Sequence, residues 1–180
     1  DDAIGKSDLV VRKSRDMGAT WDVLATFHHR WKFKKLQLFT CISRNEDMVD
    51  KTGSPDSLFW KLDFLDDPKW MPKFLRPERD RSAMHMENLE TGCVIDGESS
   101  TGNVGRGGRR TAMMLDEFAS FPRGADVEVL GSTQANTNSR IFNSTPKGRG
   151  TAYYNMSVSR NVRHVFMHWT LHPTFSKGMT

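Results

Sequence analysis

Apolar residues in the first third of the chain come in two rhythms. Asp8-Leu9-Val10-Val11-Arg12 is a solid apolar run with charged ends, which predicts a short buried strand. From Ala19 the period changes: Val23, Leu24, Phe27 and Trp31 fall on one helical face, with His28, His29 and Arg30 off it. Residues 36–42 return to a strand pattern too apolar for a half-exposed edge. Strand, loop, helix, strand is the order of a βαβ unit. Ser54-Pro55 then reads as an N-cap with proline at the first helical position, followed by Leu58, Phe59, Leu62 and Leu65 at helical spacing. Residues 66–83, rich in Pro, Arg and Asp, read as an irregular excursion whose Trp70, Met71 and Phe74 pack over the core edge.

The second half repeats the alternation. Residues 92–97 predict a short strand, 99–108 a mobile Gly/Ser-rich loop, and 111–115 an apolar strand closed by Asp116-Glu117. A helix over 125–134, a strand over 140–143, a tight turn over 144–148, a further helix and a last strand over 162–169 complete the chain. No internal repeat is visible. Strands alternating with helices predict an α/β fold, a mainly parallel sheet with helices on both faces and functional loops at the strands' carboxyl ends.

Composition narrows this without redirecting it. The 180 residues, 37% hydrophobic and 27% charged, suit one globular domain with room for a small appended subdomain. No apolar run approaches the roughly 20 residues that span a bilayer, and the Asp1-Asp2 start carries no signal-peptide pattern. The missing initiator Met suggests a fragment or a processed chain. Cys41 and Cys93 sit in separate apolar runs outside any CxxC pair, which predicts reduced core cysteines. The net charge of +4 permits nucleic-acid binding without demanding it. Its clusters (Arg30, Lys32, Lys34 and Lys35; Arg106, Arg109 and Arg110; Lys147 and Arg149) would each, alone, be solvated faces. Adjacent His28 and His29, and His85 between two Met residues, are not spaced as metal ligands and read as surface or packing residues.

Three strand-end loops carry chemistry. Lys13-Ser14-Arg15-Asp16-Met17-Gly18-Ala19-Thr20 joins a strand to a helix. Phosphate binding there needs backbone N–H groups at a helix start, a cation and a hydroxyl for magnesium. Gly18 supplies backbone freedom and Thr20 the hydroxyl. Ala19 stands where a P-loop lysine would be, so the cation falls to Lys13 or Arg15. Met113-Met114-Leu115-Asp116-Glu117 places Asp116 at a buried strand's end, able to hold magnesium, and Glu117 where it can activate water. Asn143-Ser144-Thr145-Pro146-Lys147-Gly148 offers hydroxyls at a third strand end that can sense the γ-phosphate, although alone it is an ordinary turn.

Taken together, these motifs resemble the large subunit of the terminase that packages DNA into tailed-phage heads. Lys13 to Thr20 is similar to that family's deviant Walker A, K-S-R-x-x-G-x-[ST], with the lysine displaced to the loop's start. Met113 to Glu117 matches its Walker B, and Ser144-Thr145-Pro146-Lys147-Gly148 its coupling motif. Gly105-Arg106-Gly107-Gly108-Arg109-Arg110 and the Trp169-Thr170-Leu171-His172-Pro173 ending also look terminase-like.

The resemblance implies an additional-strand P-loop NTPase, a single ATPase motor domain over 1–180, using ATP and Mg. Lys13, Ser14, Arg15, Gly18, Ala19 and Thr20 would bind nucleotide, with Thr20 and Asp116 on the metal. Glu117 would activate water, Ser144, Thr145 and Pro146 would couple, and Arg106, Arg109 or Arg110 would act on a neighbour's site in a homo-oligomeric ring. Implied partners are double-stranded DNA gripped by its backbone, the terminase small subunit and the portal of the procapsid, in the cytoplasm of an infected bacterial cell. Full-length family members add an adenine-contacting segment upstream and a nuclease downstream. This segment is therefore expected not to cut DNA and to select adenine incompletely. A superfamily-2-like helicase ATPase and a non-hydrolysing nucleotide-sensing, DNA-binding scaffold remain alternatives.

Overall fold

The computed structural model describes residues 4–101, 104–105 and 107–177. Among the described residues eight strands form one mixed, mostly parallel sheet in the order β3-β4-β5-β2-β6-β7-β1-β8, flanked by five α-helices. The parallel strands are β1 (Leu9–Lys13), β2 (Leu38–Ser43), β5 (Cys93–Ser99), β6 (Ala112–Asp116), β7 (Arg140–Ser144) and β8 (Arg163–Met167). At one edge β3 (Arg79–Ser82) and β4 (His85–Asn88) add antiparallel. One strand, β7, lies between β1, which leads into the phosphate-loop sequence, and β6, which ends in Asp116. That is the additional-strand arrangement.

The central strands are buried on both faces, so neighbouring residues alternate between two cores. Val11, Cys41, Met114 and Ile141 join α1 (Ala19–Phe33), α2 (Glu46–Val49) and α3 (Leu58–Leu65) on one side. Val10, Ile42, Leu115 and Phe142 meet α4 (Ala125–Gln134) and α5 (Ala152–Val158) on the other. This period of two, with apolar residues at both phases, is why the strands read as solid apolar runs. Cys41 and Cys93 are buried and unpaired, and burial pushes the Cys41 thiol up.

Several local expectations are corrected. Leu36 is 80% exposed with φ of 53°, so the second strand begins at Leu38 rather than 36. The cap of α3 is Ser57, whose Oγ accepts the Trp60 N–H at 3.3 Å; Ser54-Pro55 forms the turn before it. The excursion over 66–83 ends in β3, half of a hairpin that short charged strands concealed. Phe74 is 85% exposed rather than packed over the core, while Trp70 lies against Phe64 at 3.9 Å between ring centroids. The strand expected over 92–97 runs on to Ser99, and the last strand ends at Met167. In the loop over 99–108, the Gly105 N–H donates to Glu98 Oε2 at 2.8 Å and Asn136 Nδ2 to the Gly107 carbonyl at 2.8 Å, so its described part is tethered.

His28, expected off the packed face of α1, is buried. It stacks on Trp31, and its Nε2 lies 2.9 Å from Asp66 Oδ2. Lys32 Nζ donates to Asp66 Oδ1 at 2.7 Å. Arg79 joins Asp66 and Asp63, and Arg81 joins Asp50 and Asp63. This network ties α1 and α3 to the hairpin. Burial alone would raise the Asp66 carboxyl, but hydrogen bonds and charge from His28 and then Lys32 outweigh it and hold it below the usual range.

Asp66→Asn should lower the unfolding free energy at neutral pH by about 3–5 kcal/mol, because it leaves two buried bases facing no charge. A depressed carboxyl contributes stability above its unfolded pKa and loses it as pH falls through the folded value. Denaturant unfolding at several pH values should therefore show the gap between wild type and variant closing on acidification.

Candidate active site

The phosphate-loop sequence runs from the end of β1 into α1. Gly18 is the N-cap of that helix with φ of 76°, and Asp16 is also left-handed at φ 59°. A side chain at 18 would be strained in this conformation. No side chain caps the first turn, so the amides of a 15-residue helix open on the loop with the positive end of its dipole. Arg15 is exposed at the rim of a cleft of about 820 Å³ that Lys13, Gly18, Ala19 and Thr20 also line. Ser14 turns elsewhere. Its N–H donates to the Met167 carbonyl at 2.9 Å and its Oγ accepts the Trp169 N–H at 3.1 Å, fastening the loop to the end of β8.

Asp116 ends β6 buried, at the cleft floor. Thr20 Oγ1 donates to its Oδ1 at 2.9 Å. Asn143, its register partner on β7, donates through Nδ2 to the same oxygen at 2.6 Å and to Thr20 Oγ1 at 3.1 Å. Burial raises the Asp116 carboxyl and the charge of Glu117 adds to it, against the hydrogen bonds of Asn143 and Thr20 and the charge of Lys13. Glu117 itself is left-handed at φ 52°, an uncommon conformation for a residue with a long side chain. It accepts Lys13 Nζ at 2.8 Å, across 104 residues of sequence.

The third motif meets the second. Ser144 Oγ accepts the Ala119 N–H at 3.1 Å and donates to the Thr145 carbonyl at 3.1 Å. The Tyr153 hydroxyl lies 2.9 Å from the Ser144 carbonyl and 3.0 Å from that of Val11, joining β7 to β1. Thr145, Pro146 and Lys147 line the cleft.

Of the three arginines expected to assist catalysis, the two described do not line this cleft. Arg106 lies outside the described residues. Arg109 is exposed, and Arg110 donates to Thr40 Oγ1 at 2.9 Å and to Asp96 Oδ2 at 3.1 Å. Its partners on β2 and β5 occupy that guanidinium within the chain. The cleft holds other cations instead, Arg44, Lys61 and Lys147. Neither Asn143 nor Lys61 was singled out from sequence. Asn143 opened the third strand-end loop but was given no role of its own, whereas nothing local marks Lys61.

These residues fit magnesium and a nucleotide. Mg²⁺ takes hard oxygen ligands, keeps several waters and is commonly held by one or two protein groups plus substrate phosphates. The Thr20 hydroxyl and Asp116 carboxylate are such oxygens, and Asn143 Oδ1 is a buried oxygen without a partner. Among the described residues no three His, Cys, Asp or Glu side chains converge as a metal site of their own.

Asn143→Ala should destabilise the protein by about 1.5–3 kcal/mol in denaturant unfolding, the range for a lost hydrogen bond to a charged group. Asn143→Asp should cost more at neutral pH, since it sets a second carboxylate against Asp116, and less in acid.

No family model matches the chain, and no curated protein does. Solved structures do. Bacteriophage HK97 large terminase superposes with a TM-score of 0.67 at 12% identity, covering 92% of this chain and 36% of that one. The large terminase of a thermophilic bacteriophage in complex with ADP gives 0.62 at 13%, covering 90% and 40%. An ATPase-domain variant of the Thermus phage P74-26 large terminase gives 0.61 at 14%, covering 89% and 75%. The chain thus spans between about a third and two fifths of the longer terminases it matches. With β7 between β1 and β6 and its cleft at their carboxyl ends, the chain has the P-loop NTPase fold of the phage large terminase ATPase domains.

Proposed function

We propose that this chain is the ATP-hydrolysing motor domain of a terminase large subunit, which drives double-stranded viral DNA into a procapsid. The observation that carries the reading is the convergence of Lys13, Thr20, Asp116 and Glu117 from two distant segments into one cleft. The likeness to terminase structures, one in complex with ADP and another with ATP-γ-S, supports it.

In this mechanism the amides of Gly18 and Ala19 receive phosphate oxygens at the start of α1. Lys13 gives up Glu117 for the β- and γ-phosphates, and Arg15 closes on them from the rim. Thr20 and Asp116 would hold magnesium, which when bound would neutralise charge on the phosphates. Released from Lys13, Glu117 orients the attacking water and accepts its proton. Ser144, hydrogen-bonded to Ala119 two residues past Glu117, links that event to Thr145 at the cleft wall. Arg106 or Arg109, or Arg110 once freed from Thr40 and Asp96, then serves a neighbouring subunit's site in a ring assembled with the small subunit and the portal. DNA is held through its phosphates, so its affinity falls steeply with salt.

Glu117→Gln should cut ATP turnover by about 10²-fold or more while retaining nucleotide affinity. Turnover is read in the assembled ring, where an arginine from a neighbour is available. A wild type that binds Mg-ATP there without Glu117-dependent hydrolysis would identify a nucleotide-sensing scaffold instead. Lys13→Ala should weaken ATP binding, measured by calorimetry; unchanged affinity would remove Lys13 from the phosphate site.

A further inference from the structure

The cleft wall that faces the phosphate loop belongs to none of the three motifs. Ser43 and Arg44 at the end of β2, Met48 of α2, Asp56 in the turn before α3 and Lys61 of α3 build it. Lys61 stands out by its partners. Among the described residues only Lys13, Lys32 and Lys61 are lysines withdrawn from full exposure. Lys13 touches Glu117 and Lys32 touches Asp66. Lys61 touches no carboxylate: its ammonium donates to the backbone carbonyls of Asp56 at 2.7 Å and Ser57 at 3.4 Å.

Withdrawn lysines are ordinarily paired with an opposite charge. Burial accordingly lowers the affinity of Lys61 for its proton, while the charges of Asp116 and then Asp56 favour keeping it. Lys61 lines the same cleft as Lys13, Thr20, Asp116 and Glu117. Trp21, the residue after Thr20, lies beside it, with its ring centroid 6.0 Å from Lys61 Nζ.

We propose that Lys61 is a phosphate-binding residue of this site, a cation for the terminal phosphate of a nucleoside triphosphate supplied from α3 where the loop carries Ala19. The inference rests on the nucleotide-binding reading above. A lysine ammonium is a compact charge with three rotatable donors on a flexible stem. Exchanging two neutral carbonyls for a phosphate oxygen gives it a charge-assisted bond. Lys61 then discriminates a triphosphate from a diphosphate, and its helix responds to loss of the terminal phosphate.

The test is calorimetric titration of the full chain with Mg-ATPγS and Mg-ADP, for wild type, Lys61→Met, Lys61→Gln and Lys61→Arg. Lys61→Met keeps the apolar stem beside Trp21, and Lys61→Gln serves if that variant fails to fold. A loss of about tenfold or more in ATPγS affinity is expected, as for one charge-assisted hydrogen bond, with ADP changed by less than about twofold and Lys61→Arg restoring most of the loss. If wild type binds both nucleotides and the neutral variants bind ATPγS as tightly, or lose both ligands equally, the assignment of Lys61 is wrong and the nucleotide site stands. If folded wild type binds neither nucleotide, the reading of the cleft and the role of Lys61 fall together.

Discussion

Asp116 stands at the end of a strand buried on both faces, and its carboxylate is taken out of water beside a second acid. A charge in that position is costly unless donors surround it. Thr20 from the start of α1 and Asn143 from β7 both donate to one of its oxygens, and the charge of Lys13 offsets it. These partners come from three segments, so the carboxylate can be tolerated only when β1, β6 and β7 are in register. The strand between β1 and β6 is therefore a requirement of the site as well as of the sheet. Asn143 reaches Asp116 because it sits directly across from it, and Thr20 reaches it because α1 begins at the same edge.

Glu117 follows from the same geometry. Ending a strand in an acid that points to the floor leaves the next residue to turn sharply, and Glu117 does so in the left-handed region. That turn brings its carboxylate to Lys13 and leads into a single helical turn at Phe118–Ser120, whose Ala119 amide is held by Ser144. Lys13, Glu117 and Ser144 are thus linked by hydrogen bonds through that turn. In the proposed mechanism, a shift of Lys13 away from Glu117 would reach Ser144 through one turn of backbone.

The wall across the cleft depends on a separate set of charges. The contacts of Asp66 with His28 and Lys32, and the ion pairs of Arg79 and Arg81 with Asp50, Asp63 and Asp66, hold α1, α3 and the β3–β4 hairpin together. Buried pairs of this kind contribute less to stability than to fixing one arrangement of helices. Here the arrangement they hold presents Lys61 and Trp21 to the cleft. Half-buried Trp60 and exposed Phe64 and Trp70 pack ring against ring at the end of α3.

The alternating solid apolar runs at 9–11 and 112–115, with the helical spacing of Val23, Leu24, Phe27 and Trp31 between them, were enough to establish a two-sided parallel sheet. A strand with both faces buried has few other compositions open to it. The three loops were legible because phosphate and magnesium chemistry demands particular residues within a few positions of one another. The sequence pattern could not place β3 and β4, whose short charged strands carry no apolar period, nor the burial of His28, which depends on Asp66 arriving from α3. It also could not pair Arg110 with Asp96 or bring Lys61 to the cleft. Those are contacts between residues tens of positions apart, and only the packing of the helices on the sheet brings them together. Local chemistry in the chain thus determined which side chains could act on a phosphate. Which of them share a cleft, and which are occupied elsewhere, was decided by the register of β7 beside β6 and the seating of α3 on α1.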